Sequence, residues 1–326
     1  MFFRNTPRKG FEPLRGVAEL LIIKAVQVAK IDTFSGHRDC VYTLEGGTEP
    51  HQFFSAGGDG LVIRWDLTMP DVGELFAQVP ASIYALCFEP SRNQLWVAQN
   101  FEGIHLIDVE TKQEIKSVKI TSSSIFDIKI FENNAFIGLS DGTIVVMNVE
   151  EFVVKKHIKA SDKSVRNIAI NPLLGEFAAA YSDFSVKIFD LNDFSLKLVV
   201  SHHTNSVFTV CYSPDYQYLI TAGRDAHLKI YEVNHQYKLY QDIAAHLFAI
   251  NDIKFSPDGN LFATCSMDKS IKIWDAKQFK LLKVIDKARY AGHGTSINKL
   301  FWSQYDELLV SASDDKKISV WSIDSK

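Results

Sequence analysis

The sequence predicts an all-β protein built from seven copies of one four-stranded antiparallel unit, on three observations. The stretch HLFAINDIKFSPDGNLFATCSMDKSIKIWD, His246 to Asp275, holds three short alternating runs rich in Ile, Phe and Thr: Ile250 to Phe255, Leu261 to Cys265 and Ile271 to Trp274. That is the pattern of half-buried strands. Turn residues separate the runs: Ser256-Pro257-Asp258-Gly259 sets Pro at the corner and Gly where φ can turn positive, and Met267-Asp268-Lys269 makes a second reversal. The unit then recurs, with Trp65, Ile107, Met147, Phe189, Tyr231, Trp274 and Trp321 as equivalent positions spaced by 42, 40, 42, 42, 43 and 47 residues. A period of roughly 40 to 45 residues is that of a propeller blade. The expected fold is therefore a seven-bladed β-propeller with four antiparallel strands per blade.

The elements follow in order. From Val26 the chain alternates as VQVAKIDTF and reaches Gly36-His37, a strand with no first three strands before it, while the last repeat stops after Val320-Trp321-Ser322-Ile323, one strand short. The two fragments complete one another: residues 26 to 34 are expected as the outer strand of the blade built by 296 to 323, closing the ring and removing edges that would otherwise aggregate. Blade 1 reads CVYTLE, HQFFSA, LVIRWDL and GELFAQ; blade 2 SIYALCF, QLWVAQ, IHLIDV and QEIKSV; blade 3 SIFDIKI, AFIGL, TIVVMNV and VVKKHI. Blade 4 reads SVRNIAI, EFAAAY, SVKIFDL and LKLVVS, and blade 5 SVFTVCYS, YLITA, HLKIYEV and YKLYQDI. Blade 6 ends with LLKVI, Asp286 to Ala291 is an insertion that explains the long last spacing, and blade 7 closes with SINKLFWS, LLVSAS and ISVWSI.

One domain over residues 25–326 is expected, because a repeat array overrides the length rule that would divide 326 residues in two. Residues 1–24 stand outside the repeat. MFFRNTPRKGFEPLRG has no periodicity and reads as a disordered leader. Its Gly10-Phe11-Glu12-Pro13 resembles one translated frame of a transfer-RNA gene's T-arm, so a misassigned start is an expectation too. Leu20 to Ile23 is too short to span a membrane and has no cleavage site behind it.

A polar pattern overlies the strands. An Asp stands six residues before the reference position in six repeats (Asp59, Asp141, Asp183, Asp225, Asp268, Asp315), and repeat two breaks the pattern at Phe101-Glu102, where a reshaped turn is expected. A His precedes the first core residue of the strand by four in four repeats (His37, His203, His246, His293), with Val79, Thr121 and Ser161 in its place in repeats two to four. His246, Thr264 or Ser266, Asp268 and Trp274 sit where an apolar strand has no need of them. This constellation resembles the WD-repeat (WD40) family. The resemblance implies that the His, a Ser or Thr of the second strand, the turn Asp and the Trp share one buried hydrogen-bond network. On that pattern tetrads are expected in blade 1 (His37, Ser55, Asp59, Trp65), in blade 6, and in blade 7 (His293, Ser311 or Ser313, Asp315, Trp321), with His203, Thr221, Asp225 and Tyr231 in blade 5. Thr264 and Ser266 lie two apart and share one side of a strand, so the choice between them stays open. Blades 2 to 4 are expected to be held mainly by apolar packing and to be locally softer.

A His, a Ser and an Asp together also suggest a catalytic triad, but a triad occurs once, with an exposed Ser beside an oxyanion hole. Here the set recurs at a fixed period with a Trp attached, which reads as a staple. A net charge of −4 argues against general nucleic-acid binding, and Lys155-Lys156 and the lysines from 269 to 283 read as solvated outer faces. Cys40, Cys87, Cys211 and Cys265 fall singly, with no zinc spacing, and read as buried small hydrophobes in a reducing, cytoplasmic setting.

The first residues of each inner strand face the mouth of a propeller's channel. The equivalents of Asn251 are Tyr42, Tyr84, Phe126, Arg166, Phe208 and Asn298; two positions earlier all residues are small (Cys40, Ser82, Ser124, Ser164, Ser206, Ala249, Ser296), leaving the rings room to reach solvent. Arg224 and Met267, before the turn Asp, join the same face. Tyr, Phe and Arg are enriched at binding hot spots, and in family terms these positions resemble the top-face contacts that WD-repeat proteins use for peptides and partner domains. The expectation is a non-enzymatic scaffold that binds a protein or peptide there, as a monomer or a subunit of a larger complex, with no catalytic residue, metal, cofactor, nucleic acid or membrane. The alternative is a propeller-type hydrolase with a metal in the channel, for which only Asn251 and Asn298 offer oxygen donors on the ring.

Overall fold

A computed structural model describes residues 26–325 of the chain. The leader 1–24 lies outside the described residues. Seven four-stranded sheets stand around a central channel, each an antiparallel meander. Blade 1 is Val41–Gly46, Gln52–Gly57, Leu61–Asp66 and Glu74–Gln78. The inner strands that follow, one per blade, are Ile83–Glu89, Ile125–Phe131, Val165–Asn171, Val207–Tyr212, Ile250–Phe255 and Ile297–Trp302. The insertion before blade 7 is a single helical turn, Lys287–Tyr290, whose Asp286 cap accepts a 2.9 Å hydrogen bond from the Arg289 N–H.

A sheet whose two faces both meet another sheet needs apolar residues on both, which is why the second strands, such as Glu176–Tyr181, are buried throughout. Seven apolar clusters result, one between each pair of successive blades. The seventh blade has the order Val26–Ser35, Lys317–Ser325, Leu309–Ser313, Ile297–Trp302, so the first described strand completes the last sheet. The pairing is antiparallel, with Val28 opposite Ile323 and Phe34 opposite Ile318, and a bulge between Lys30 and Asp32. This strand feeds two cores. Val26 packs with Ile271, Ile285 and Trp321 between blades 6 and 7, whereas Phe34 packs between blades 7 and 1, stacked on Trp65 at 5.3 Å.

Deleting residues 26–35 should therefore leave the Lys317–Ser325 edge unpaired. The expected outcome is a chain that forms oligomers or aggregates in size exclusion with light scattering while the parent stays dispersed. Phe34→Ala alone should cost about 3–5 kcal/mol in denaturant unfolding. A deleted chain that stays as soluble as the parent would count against closure by this strand.

Candidate functional site

The mouth of the channel is shaped by one backbone irregularity repeated seven times. Between each inner strand and its neighbour the register slips at the same place: between Val41 and Thr43, Ile83 and Ala85, Ile125 and Asp127, Val165 and Asn167, Val207 and Thr209, Ile250 and Asp252, and Ile297 and Lys299. The skipped residues are Tyr42, Tyr84, Phe126, Arg166, Phe208, Asn251 and Asn298. An extra residue in one strand bends it and re-aims a side chain. The four aromatic residues accordingly stay half-buried and outside the seven cores, which lie between the blades.

They pack on one another instead. Tyr42 and Tyr84 have ring centroids 4.8 Å apart, and Tyr84 and Phe126 are 5.6 Å apart. The Arg166 guanidinium lies 4.1 Å from the Phe126 centroid and 4.7 Å from that of Phe208. A continuous arc of planar groups thus runs across blades 1 to 5. The arc and Asn251, Asn298, Met267, Cys40 and Asp314 enclose a cavity of about 570 Å³, which Asn167, Asp252, Ser296 and Lys299 also line.

Other expected members behave differently. Asn251 donates to the Ile297 carbonyl at 2.8 Å, and Asn298 to the Val41 carbonyl at 2.9 Å and to Asp314 at 2.7 Å, so both tie their blade to the next. Met267 lines the cavity and is 51% exposed; Arg224 is exposed but outside the lining. The small residues do not simply give the rings clearance. Cys40, Ser82, Ser164 and Ser206 each donate to a carbonyl just before the turn Asp position of the preceding blade, those of Asp314, Gly58, Ser140 and Ser182. Within the blade the same segment is also tight: a Cβ on Gly223 would lie 2.1 Å from the Ser206 carbonyl oxygen across the strand pair.

Two features were not anticipated. One position past the bulge, Asp127 accepts from the Ile168 N–H at 2.8 Å and from Asn167 at 2.7 Å, Asn167 accepts from the Val210 N–H at 2.9 Å, and Asp252 accepts from the Leu300 N–H at 3.1 Å. These clasps join blades 3, 4 and 5, and blades 6 and 7; the Asp or Asn inside FDIKI, RNIAI and NDIKF was their signal. The other feature is the turn after His246, where Leu247 is 84% and Phe248 62% exposed beside Met267. Arg38-Asp39, Thr204-Asn205 and Gly294-Thr295 stand there in the other His-bearing blades, and that contrast could have revealed the patch.

The His networks are present. In blade 1 Trp65 donates to Ser55 Oγ at 2.7 Å, His37 Nε2 lies 2.7 Å from the same oxygen, and His37 Nδ1 lies 3.0 Å from Asp59. Blade 6 repeats this with Trp274 to Thr264 at 2.9 Å, Thr264 to His246 at 2.8 Å and His246 to Asp268 at 2.9 Å. An indole only donates, so the hydroxyl proton goes to Nε2 and the Nδ1 proton to the carboxylate, leaving the imidazole neutral. Blade 7 uses Ser311 in the same way, at 2.9 Å from both Trp321 and His293, with Asp315 3.0 Å from His293. Ser266 and Ser313 brace their own turns instead, accepting from the N–H groups of Asp268 and Asp315. The four hydroxyls at the network centres, Ser55, Thr221, Thr264 and Ser311, are fully buried and cannot meet a substrate.

Blade 5 departs from expectation. His203 bonds Thr221 at 2.7 Å and Asp225 at 2.8 Å, but the buried Tyr231 hydroxyl makes no hydrogen bond among the described residues. A phenol carries its polar atom at the tip of the ring and an indole carries it on the flank, so the substitution keeps the packing and drops the fourth member. Blade 4 is not held by apolar packing alone. Its buried Lys187 reaches Asp183 at 2.5 Å and Ser185 at 2.6 Å and lies 4.2 Å from the Tyr181 centroid.

The turn carboxylates also fix the loop in front of them. Asp59 accepts from the Arg38 N–H and Asp268 from the Leu247 N–H. Burial pushes the Asp225 carboxyl up, but the hydrogen bond from His203 and the N–H groups of Thr204 and His227 outweigh it, leaving the pKa at about 2 instead of 3.8. Asp268 is balanced the same way by His246 and lies well below the usual range. Burial holds His37 and His246 below 6.5 against the pull of Asp59 and Asp268.

A family model described as "WD domain, G-beta repeat" matches residues 29–66, 194–232, 237–275 and 285–322. These four segments each end one residue past the reference position of a His-bearing blade. The chain is a WD-repeat β-propeller. The WD-repeat relatives include protein tipD of Dictyostelium discoideum, 24% identical over 88% of this chain and 48% of its own length. The nuclear distribution protein PAC1 of Arthroderma benhamiae is 26% identical over 49% of this chain and 36% of its own. The COMPASS component SWD3 of Saccharomyces cerevisiae is 33% identical over 34% of this chain and 35% of its own. The chain thus spans about half or less of the curated relatives it matches. The crystal structure of the WD40 beta propeller domain of Doa1 superposes with a TM-score of 0.80, covering 90% of this chain and 97% of that one at 17% identity, which speaks to the fold.

Asp268→Ala should destabilise by about 1–3 kcal/mol, because His246 and the Leu247 N–H lose their acceptor, and hydrogen exchange should quicken in 246–275. Unchanged melting and exchange would count against a structural network. Acid should weaken the fold in two steps. Below about 6.5 the unfolded chain takes up protons that His37 and His246 refuse while folded, and below about 3.8 the unfolded Asp225 and Asp268 take up protons while the folded ones stay ionised. Melting temperature should therefore fall from about pH 7 to about pH 5 and again towards about pH 2; a flat profile over the first step would refute the histidine assignment.

Proposed function

We propose that the chain is a non-enzymatic WD-repeat scaffold that holds a protein or peptide segment over the mouth of the ring. The observation that carries the reading is the bulge-presented arc of Tyr42, Tyr84, Phe126, Arg166 and Phe208, packed on itself beside an open cavity and outside the cores. Large rigid planar side chains around a concave site are what a binding surface needs. Relatives support it by their names: SWD3 is a component of COMPASS, and Elongator complex protein 2 of Schizosaccharomyces pombe belongs by name to a complex. A metal-dependent hydrolase is disfavoured, since Asp127 and Asp252 are each engaged by a backbone N–H of the next blade, and among the described residues no three His, Cys, Asp or Glu are grouped to hold a metal ion. A reducing, cytoplasmic setting belongs to the same proposal, supported by four free cysteines.

The test is affinity capture from the native cell with the wild type and a Tyr84→Ala, Phe126→Ala double variant. The variant should lose about thirtyfold or more in affinity for the captured partner. Phe126→Ala should destabilise by about 1 kcal/mol, well short of the roughly 3–5 kcal/mol of a core phenylalanine. Full retention of the partner together with a severe loss of stability would mean that the arc is packing.

A further inference from the structure

Arg166 is placed unlike the other charged residues of the cavity. Asp252 is met by Lys299 at 3.4 Å and by the Leu300 N–H, and Asp314 by Asn298. Arg166 has two phenyl rings, from the blades on either side, and no hydrogen bond or ion pair to any described residue. A guanidinium carries five N–H donors in its own plane. Rings close on its carbon from the blades on either side, and the cavity it borders is the direction left open to its donors. Burial weakens its hold on the proton, and the opposing pull comes from Tyr84, not from a carboxylate. A cation held between two rings, with none of its donors engaged by a described residue, is arranged to receive an anion. Planar bidentate pairing with an oxyanion is the strong form of that contact.

The second half of the site lies across the cavity. Met267 lines the same space, its N–H bonded to the Ala249 carbonyl at 2.9 Å, and the exposed Leu247 and Phe248 stand on the turn that this bond ties to it, the one before Ile250–Phe255. That turn is held by Asp268 through the Leu247 N–H and by Ser266 through the Phe248 carbonyl, so the apolar pair is presented on a fixed support.

Taking the mouth as the binding face proposed above, we propose that Arg166 receives a carboxylate, the Asp or Glu side chain of an extended partner segment whose apolar neighbour rests on Leu247, Phe248 and Met267. Carboxylate is favoured over phosphate by charge. A phosphorylated side chain carries about −1.5 to −2, whereas the cavity offers one guanidinium with no ionic partner among the described residues, its Lys299 being matched by Asp252, and Asp314 adds a negative charge to the lining. One negative charge against blade 4, with N–H groups of the segment turned to Asp314, fits the distribution of charge.

The test uses the whole chain and fluorescent peptide pools, randomised except for a Leu and a central residue fixed as Glu, Gln or phosphoserine. The Glu pool should bind about tenfold to a hundredfold more tightly than the Gln pool. Arg166→Ala should abolish that preference, and Arg166→Lys, a point charge without the planar fork, should restore part of it. Leu247→Ser with Phe248→Ser should weaken Glu and Gln pools alike. Equal binding of Glu and Gln pools, or a Glu preference that survives Arg166→Ala, would overturn the carboxylate while binding sensitive to Tyr84→Ala left the mouth standing. Tighter binding of the phosphoserine pool would assign phosphate instead. No binding by any pool, or binding indifferent to both Tyr84→Ala and Arg166→Ala, would remove the mouth reading as well.

Discussion

A ring of sheets is stable only if its last member meets its first, and here the constraint is satisfied by ten residues, Val26–Ser35, laid along Lys317–Ser325. Every other blade is a local meander whose strands are neighbours in sequence. The closing blade alone joins parts of the chain some three hundred residues apart. Its strand supplies a side chain to the apolar layer on each face of its own sheet, Val26 on one and Phe34 on the other. Loss-of-edge protection and core packing are thus carried by the same residues, and the channel that the blades surround exists only while they stay paired.

Within the ring, polar groups are buried where their bonding is complete. In the relay from indole to hydroxyl to imidazole to carboxylate the indole donates, the hydroxyl and the imidazole each accept once and donate once, and the carboxylate accepts; buried groups so satisfied carry little penalty. Its end point faces outward, where Asp59 and Asp268 take a backbone N–H from the loop in front of them. A buried network therefore sets the position of exposed residues, Leu247 among them. Blade 4 reaches a comparable result with an ion pair between Lys187 and Asp183, which shows that the site of the network tolerates different chemistry as long as the carboxylate is held.

Much of the fold was legible because period, turn and alternation agreed. The orphan alternation of VQVAKIDTF and the missing strand after Ile323 pointed to the closure that the pairing of Val28 with Ile323 displays. The site was legible only in part. Residue positions in the arc could be aligned by the period, but the bulge that turns them to the mouth has no sequence mark beyond three consecutive residues, such as Val41-Tyr42-Thr43, that leave strict alternation. The choice of Thr264 over Ser266 depends on which of two hydroxyls on one strand face reaches the ring nitrogen, a distance that spacing does not contain. Tyr231 misled because aromatic size was matched while the position of its polar atom was not. Nothing in the alternation of SVKIFDL marks Lys187 as a buried cation, and the small residues before the bulge read as clearance when Cys40, Ser82, Ser164 and Ser206 act as hydrogen-bond donors between blades.

The clasps also bear on how force would travel through the molecule. Phe126, Arg166 and Phe208 stand on three successive inner strands, and the residue after each of the first two, Asp127 and Asn167, grips the backbone of the next strand. A segment pulling on Arg166 would load blades 3, 4 and 5 together, through bonds set side by side across the strands. Tension at that point would be shared as in a riveted plate, and unpeeling one blade would require breaking the grip on its neighbour first.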